Sequence, residues 1–171
     1  MKYYLLCLLV SLSLVGTTHA KSKFMEVDAK FGNCKIHHKY DEKSAKLGAV
    51  QNLSLSCRSG DARVSLVCSD TLKQVYVSIK NKYFEYKSEG TTTVSYLFDK
   101  GRTNVEEWQS LGSVLLGSYP VTFENTYENF LSGLETAEWL FFRSKGHEGK
   151  IQLEGARVAV HAFKQLCKDK Y

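Results

Sequence analysis

The chain has 171 residues, with 23 lysines and arginines against 18 aspartates and glutamates, a formal charge of +5, and 43% hydrophobic residues. That length makes one ordinary domain with apolar material enough for its own core, so the fold need not rest wholly on covalent staples. The charge excess is too mild to demand a polyanionic partner, since solubility accounts for it equally well.

Residues 1–20 read as an export leader. Lys2 supplies the positive start, Leu5 to Val15 is apolar apart from Ser11 and Ser13, and Thr18-His19-Ala20 is a small-residue cleavage context. The apolar run is too short, and too soon followed by Lys21-Ser22-Lys23, for a membrane span. Cys7 lies inside that run without the context of a lipid-modified cysteine. The expectation is a signal peptide over 1–20 and one exported domain over 21–171, periplasmic or secreted, folding in an oxidising compartment.

Lys21 to Gln51 carries charges throughout, a Phe24/Phe31 pair and no sustained period, so it reads as irregular, with a helical turn at Asp41–Lys46 and a break at Gly48. Leu53 to Cys68 is a hairpin: Leu53, Leu55 and Cys57 share one face, and Val64, Leu66 and Cys68 repeat the pattern after Gly60-Asp61. Gln74 to Lys80 alternates in the same way, Asn81-Lys82 is a turn into a strand at Tyr83–Lys87, and Thr91 to Phe98 resumes after Gly90. These segments predict an antiparallel meander. Asp99 to Tyr119 is ambiguous, with Ser113–Gly117 as one more short strand.

Thr122 caps a helix carrying Phe123, Tyr127, Phe130, Leu131 and Leu134 on one stripe, which Gly133 ends. Glu138 to Arg143 reads as a buried strand that Lys150–Leu153 joins across a Gly146–Gly149 loop. A last helix runs from about Gly155 to Cys167, with Ala156, Val160, Phe163 and Cys167 on its inward stripe. The predicted fold class is α+β: one disulfide-stapled domain, a meander with two helices packed on it.

Without Cys7, the cysteines are Cys34, Cys57, Cys68 and Cys167. Cys57 abuts the hairpin turn while Cys68 stands about five residues from it, roughly 17 Å at about 3.4 Å per residue. A disulfide spans at most about 7 Å between Cα atoms, so these two do not pair while the hairpin stands. Cys68 lies near residues 50–52, where the chain arrives from Cys34. That favours Cys34–Cys68 with Cys57–Cys167, and leaves Cys34–Cys57 with Cys68–Cys167 open.

No string commits the chain to chemistry. Cys34-x-x-His37-His38 resembles half of a metal site but has no second Cys/His pair near it, and His147 and His161 are isolated, so no metal or cofactor is expected. There is no Gly-x-Ser-x-Gly and no phosphate loop. Glu106-Glu107 and Glu124/Glu128 are carboxylate pairs best read as solvated surface. Lys80, Lys82, Tyr83, Phe84, Tyr86 and Lys87 interleave bases with aromatics as a single-strand binder does, but an exported protein seldom meets nucleic acid. Asn52-Leu53-Ser54 is a glycosylation sequon that abuts a half-buried strand.

From Leu53 onward, over about two thirds of the chain, the arrangement resembles the periplasmic accessory proteins of type VI secretion, the TagO/VasI-like group. The shared features are a strand ending in Cys57, the strand Val94–Asp99 followed by Trp108, and the Phe130-Leu131 helix. They continue in Leu140–Arg143 and in Leu153-Glu-Gly155 leading to a helix that ends at Cys167. The resemblance implies a non-enzymatic envelope protein and a Cys57–Cys167 bridge. The expected function is therefore an exported binding protein, an accessory or assembly factor docking on an envelope protein. Two alternatives stand beside it: an inhibitor or immunity-type protein using Gly101–Trp108 or Ser144–Lys150 as a plug, and a small cell-wall-acting enzyme.

Overall fold

The computed structural model describes residues 24–41, 52–69, 74–85, 90–120 and 124–168. They form β1 (Phe24–Phe31), β2 (Cys34–Asp41), β3 (Asn52–Ser59), β4 (Ala62–Ser69), β5 (Gln74–Lys80), β6 (Gly90–Phe98), β7 (Asn104–Leu111), β8 (Val114–Pro120), α1 (Glu124–Thr136), β9 (Trp139–Ser144), β10 (His147–Gln152) and α2 (Ala156–Lys168). All ten strands belong to one antiparallel sheet in the order β1-β2-β3-β4-β5-β8-β7-β6-β9-β10.

The chain is therefore largely all-β, and the α+β expectation is wrong. Two segments make the difference. The stretch from Lys21 is not irregular: Phe24 to Asp41 is a hairpin turning at Gly32-Asn33. Its inward alternation mixes Phe31 and Ile36 with the weakly apolar Ala29, Cys34 and His38, so the period of two is faint in the sequence. The stretch after Asp99 is a second hairpin, β7–β8, turning at Gly112, with Trp108, Leu115 and Gly117 facing inward.

The simple meander also fails, because β8 rather than β6 lies beside β5. The expected strand at Tyr83 does not form. The Asn81 carboxamide oxygen accepts from Tyr83 N at 3.0 Å, and its backbone carbonyl accepts from Phe84 N at 3.0 Å. This local turn takes the chain out of the sheet and drops Phe84 into the core, edge-on to Phe142 at 5.6 Å. Residues 86 and 87 of that expected strand, the Asp41–Lys46 turn beyond its first residue, Gly48 and the Thr122 cap lie outside the described residues.

One face of the sheet is mostly apolar, interrupted by the buried hydroxyls of Thr92, Ser110 and Ser144. Ile36, Leu53, Leu55, Val64, Leu66, Val75, Val77, Ile79, Val94, Leu115, Leu140 and Ile151 are all buried on it. α2 packs on it through Ala156, Ala159, Val160 and Phe163, and α1 through Phe130, Leu131 and Leu134. Phe130 joins an aromatic cluster, with ring centroids 5.3 Å from Tyr96 and Phe98 and 6.4 Å from Trp108. Gly133 does not end α1. A Cβ there would fall 2.3 Å from the Phe98 ring, so the glycine lets the helix continue to Thr136 in close contact with β6.

The disulfides are Cys34–Cys57, with Cα atoms 4.0 Å apart, and Cys68–Cys167, at 6.0 Å. The favoured pairing, Cys34–Cys68 with Cys57–Cys167, is not formed, nor is the Cys57–Cys167 bridge that the family resemblance implies. The hairpin does keep its two cysteines apart, since Cys68 lies opposite Leu53 and Cys57 opposite Val64. Their partners are decided by β2. Running antiparallel to β3, β2 sets Cys34 directly across from Cys57 and leaves Cys68 at the far end for the helix.

Replacing both cysteines of a bridge by serine should lower the unfolding free energy by about 3–4 kcal/mol for Cys34–Cys57 and by about 4–5 kcal/mol for Cys68–Cys167, whose loop is longer. Urea titration of the two double variants checks the order. Gly133→Ala should cost about 1–3 kcal/mol in the same assay, because the added methyl meets an aromatic ring rather than a flexible chain end.

Candidate functional site

Strands β6, β9 and β10 turn a second set of side chains away from the core. Across this outer face the register sets Leu97 opposite Phe141 and Ser95 opposite Arg143. It continues with Lys150 opposite Phe141 and Glu148 opposite Arg143, and on the other side Val105 of β7 lies opposite Ser95. Two rows result: Leu97–Phe141–Lys150, and Val105–Ser95–Arg143–Glu148. Leu97, Phe141 and Trp139 are half-buried, and Val105 is 63% exposed.

The rows are held in place by charge. The Lys150 ammonium lies 3.6 Å from the centroid of the Trp139 ring and 5.1 Å from that of Phe141, within cation–π range of both. The Arg143 guanidinium bonds Glu148 across the hairpin, with Nε donating to Oε1 at 2.8 Å. Above them rises the link from β6 to β7. Asp99 begins it in the left-handed region (φ 49°), and its carboxylate accepts from Glu138 N at 3.0 Å and Trp139 N at 2.8 Å. Its own N–H donates to Trp139 O at 2.9 Å. An aspartate tolerates that backbone because its short side chain makes such local bonds. The link is thereby pinned to the start of β9.

Between this wall and the Arg143–Glu148 pair lies an open cleft of about 460 Å3, lined by Leu97, Phe141, Ser95, Thr103, Arg143 and Glu148 among others. Its charged groups are already engaged: Asp99 with backbone amides, Arg143 and Glu148 with each other. What the cleft offers a ligand is an apolar floor, hydroxyls on Ser95 and Thr103, and a charged rim. A second depression lies between the helices, lined by Glu135, Thr136, Arg157, Val158 and His161. Glu135 there is ion-paired with Lys164 at 3.2 Å.

The two stretches singled out as plugs converge on the cleft, but mostly as strand and tight turn rather than as long loops. Asn104 to Trp108 is strand, leaving Thr103 on the wall, and Ser144–Lys150 is a tight hairpin that contributes Glu148 and Gly149. The four expected cysteines are all bonded inside the fold. The Cys34-x-x-His37-His38 string is split, because Cys34 faces the core in its disulfide while His37 faces outward. Among the described residues no group of three or more metal-ligating side chains gathers. Among the described residues of the Lys80–Lys87 string, Phe84 is in the core while Lys80, Lys82 and Tyr83 are exposed, so bases and aromatics do not alternate along one strip. His147, at the start of β10, and His161, on α2, are both exposed.

Glu106-Glu107 departs from the solvated reading. The two point to opposite faces: Glu107 accepts from Thr93 Oγ1 at 2.5 Å outside, while Glu106 accepts from Tyr96 Oη at 2.7 Å and Trp108 Nε1 at 2.9 Å at the border of the core. Glu106→Ala leaves two largely buried aromatic donors without that acceptor and should cost about 1–3 kcal/mol, read as a lower urea midpoint.

Asp28 and His37, outward neighbours on β1 and β2, form another polar group. The Asp28 carboxyl is held below the usual aspartate range by its hydrogen bond with Lys35 and then by that with His37 at 2.7 Å. A depressed folded value means that its contribution to stability is present above the unfolded pKa and is lost as pH falls through the folded one. Lys35→Ala should move the carboxyl titration of Asp28, followed by NMR, back toward the ordinary value; an unmoved midpoint would contradict this origin of the shift.

Comparison of the chain with protein-family models, with curated proteins and with solved structures returned no match, so its function is read from the site's own chemistry.

Proposed function

We propose that this is an exported, non-enzymatic binding protein that docks on another envelope or secreted protein through the outer face of β6, β9 and β10. The observation that carries the reading is the continuous row Leu97–Phe141–Lys150, flanked by Trp139 and by the 63% exposed Val105, on a rigid sheet beside an open cleft. Aromatic and aliphatic groups at the centre, with paired charges at the rim, are the composition of a protein-binding hot spot. Export is supported by the leader-like residues 1–20 and by the two disulfides. No described helix is long and apolar enough to cross a membrane.

The role proposed is that of an accessory or assembly factor, in keeping with the resemblance to the type VI secretion accessory proteins. An inhibitor acting by a protruding plug has less support, because Asn104–Trp108 of one candidate plug is strand, with Gly101–Thr103 a short link, and the other is a tight hairpin. The cell-wall-enzyme alternative also has less support, because the charged groups around the cleft are engaged with one another or with backbone amides.

The test is co-purification from native envelope with the unaltered protein and with Phe141→Asp in parallel. A stoichiometric protein partner should accompany the first and be lost from the second, while the variant keeps its thermal transition. In a binding assay with that partner, Phe141→Ala should weaken affinity by about 2 kcal/mol, about thirtyfold. Equal recovery of the partner by the Phe141→Asp protein would rule this face out, and a bound glycan that is turned over would replace the proposal with the enzymatic reading.

A further inference from the structure

The two edges of the sheet are finished differently. In a two-residue hairpin the flanking residues exchange both backbone bonds, and alternate residues turn their N–H and C=O away from the partner strand. Counting from the Ser144–His147 pair, Glu148, Lys150 and Gln152 direct their backbone groups off the edge of β10. That edge is covered by the chain itself. Asn81 Nδ2 donates to Glu148 O at 3.0 Å, and Gln152 N donates to Ser59 Oγ at 2.7 Å, so side chains from the ends of β3 and β5 take the place of a neighbouring strand.

The same count from Phe31–Cys34 leaves Asp28 and Lys30 facing off the edge of β1. The close approach of Cys34 and Cys57, Cα atoms 4.0 Å apart, marks the non-hydrogen-bonded pair that this parity requires between β2 and β3. Among the described residues no backbone bond reaches that edge from elsewhere in the chain. Asp28 and Lys30 are both exposed there, on the outer face, and differ in sign; Asp28 also bonds Lys35 and His37 of β2, with 47% of its side chain still open to a further cation.

We propose that β1 is a dimerisation edge, which β1 of a second copy of this chain joins antiparallel about a twofold axis at Ala29. In that register Asp28 lies opposite Lys30 of the second copy, and Lys30 opposite its Asp28. Both are the outward-facing positions, so each pair exchanges backbone bonds as well as opposite charges. Charged residues on an edge strand commonly repel a strand partner. Such an edge repels through charges that stay unmatched, whereas alternate signs two residues apart match themselves when the strand meets its own copy in reverse.

The oxidised protein should run in light scattering at twice the chain mass. Lys30→Pro removes an N–H that faces off the edge, so it spares the β1–β2 ladder and should shift the mass to that of one chain with the thermal transition kept. Lys30→Asp, which sets like charges opposite, should weaken the dimer at least tenfold without touching any backbone bond. In hydrogen exchange the Asp28 and Lys30 amides should be protected in a concentration-dependent way. A single-chain mass for the unaltered protein, with its edge bare or taken by a strand of another protein, overturns the proposal, as does a dimer that survives Lys30→Pro.

Discussion

The rest of this molecule follows from a sheet whose inner face is mostly apolar and has to be covered. Strands spaced about 4.8 Å apart would make a flat ten-stranded sheet nearly 50 Å wide, whereas a helix of 13 residues is about 20 Å long and about 10 Å across. Two such helices cannot cover that width. The inner face is nonetheless buried from Ile36 on β2 to Ile151 on β10, so the sheet must curl until its strands cover one another around the helices. The contact of β10 with the ends of β3 and β5 is where that curl meets itself.

Curling has a cost that the close contacts reveal. Gly117 lies beneath the Trp108 ring, where a Cβ would come within 2.9 Å, and Gly133 of α1 lies against Phe98. Small residues at these points let large rings fill a tightly curved interior. With the inner side so occupied, the outer face of the sheet is a broad surface left for recognition. Its half-buried aromatics stand out there because central strands such as β3 and β4 carry serines on the same side, Ser54, Ser56 and Ser65.

Much of this was legible in the residues. The Leu53–Cys68 and Gln74–Lys80 strands alternate strongly, and their inward residues are the ones predicted. The last helix kept its stripe, with Ala156, Val160, Phe163 and Cys167 all buried. What escaped was set by partners distant in sequence. β1 and β2 become strands because β3 and α2 receive their faces, not because Ala29 or His38 is a strong strand former. The end of α1 was misplaced because Gly133 answers to Phe98, on another element. The cysteine pairing was misread for the same reason, since it depended on a strand that local pattern had hidden. The outer face was half visible: both plug candidates border the cleft, but nothing in their own composition announces that Leu97 and Phe141 lie side by side.

The connectivity of the cysteines has a bearing on how the chain matures. Cys34 joins Cys57 and Cys68 joins Cys167, so each bond links neighbours in the order of synthesis. Among these four cysteines, a chain emerging N-terminus first presents the native partner of each thiol as the next to appear, so pairing in order of emergence gives the native crosslinks.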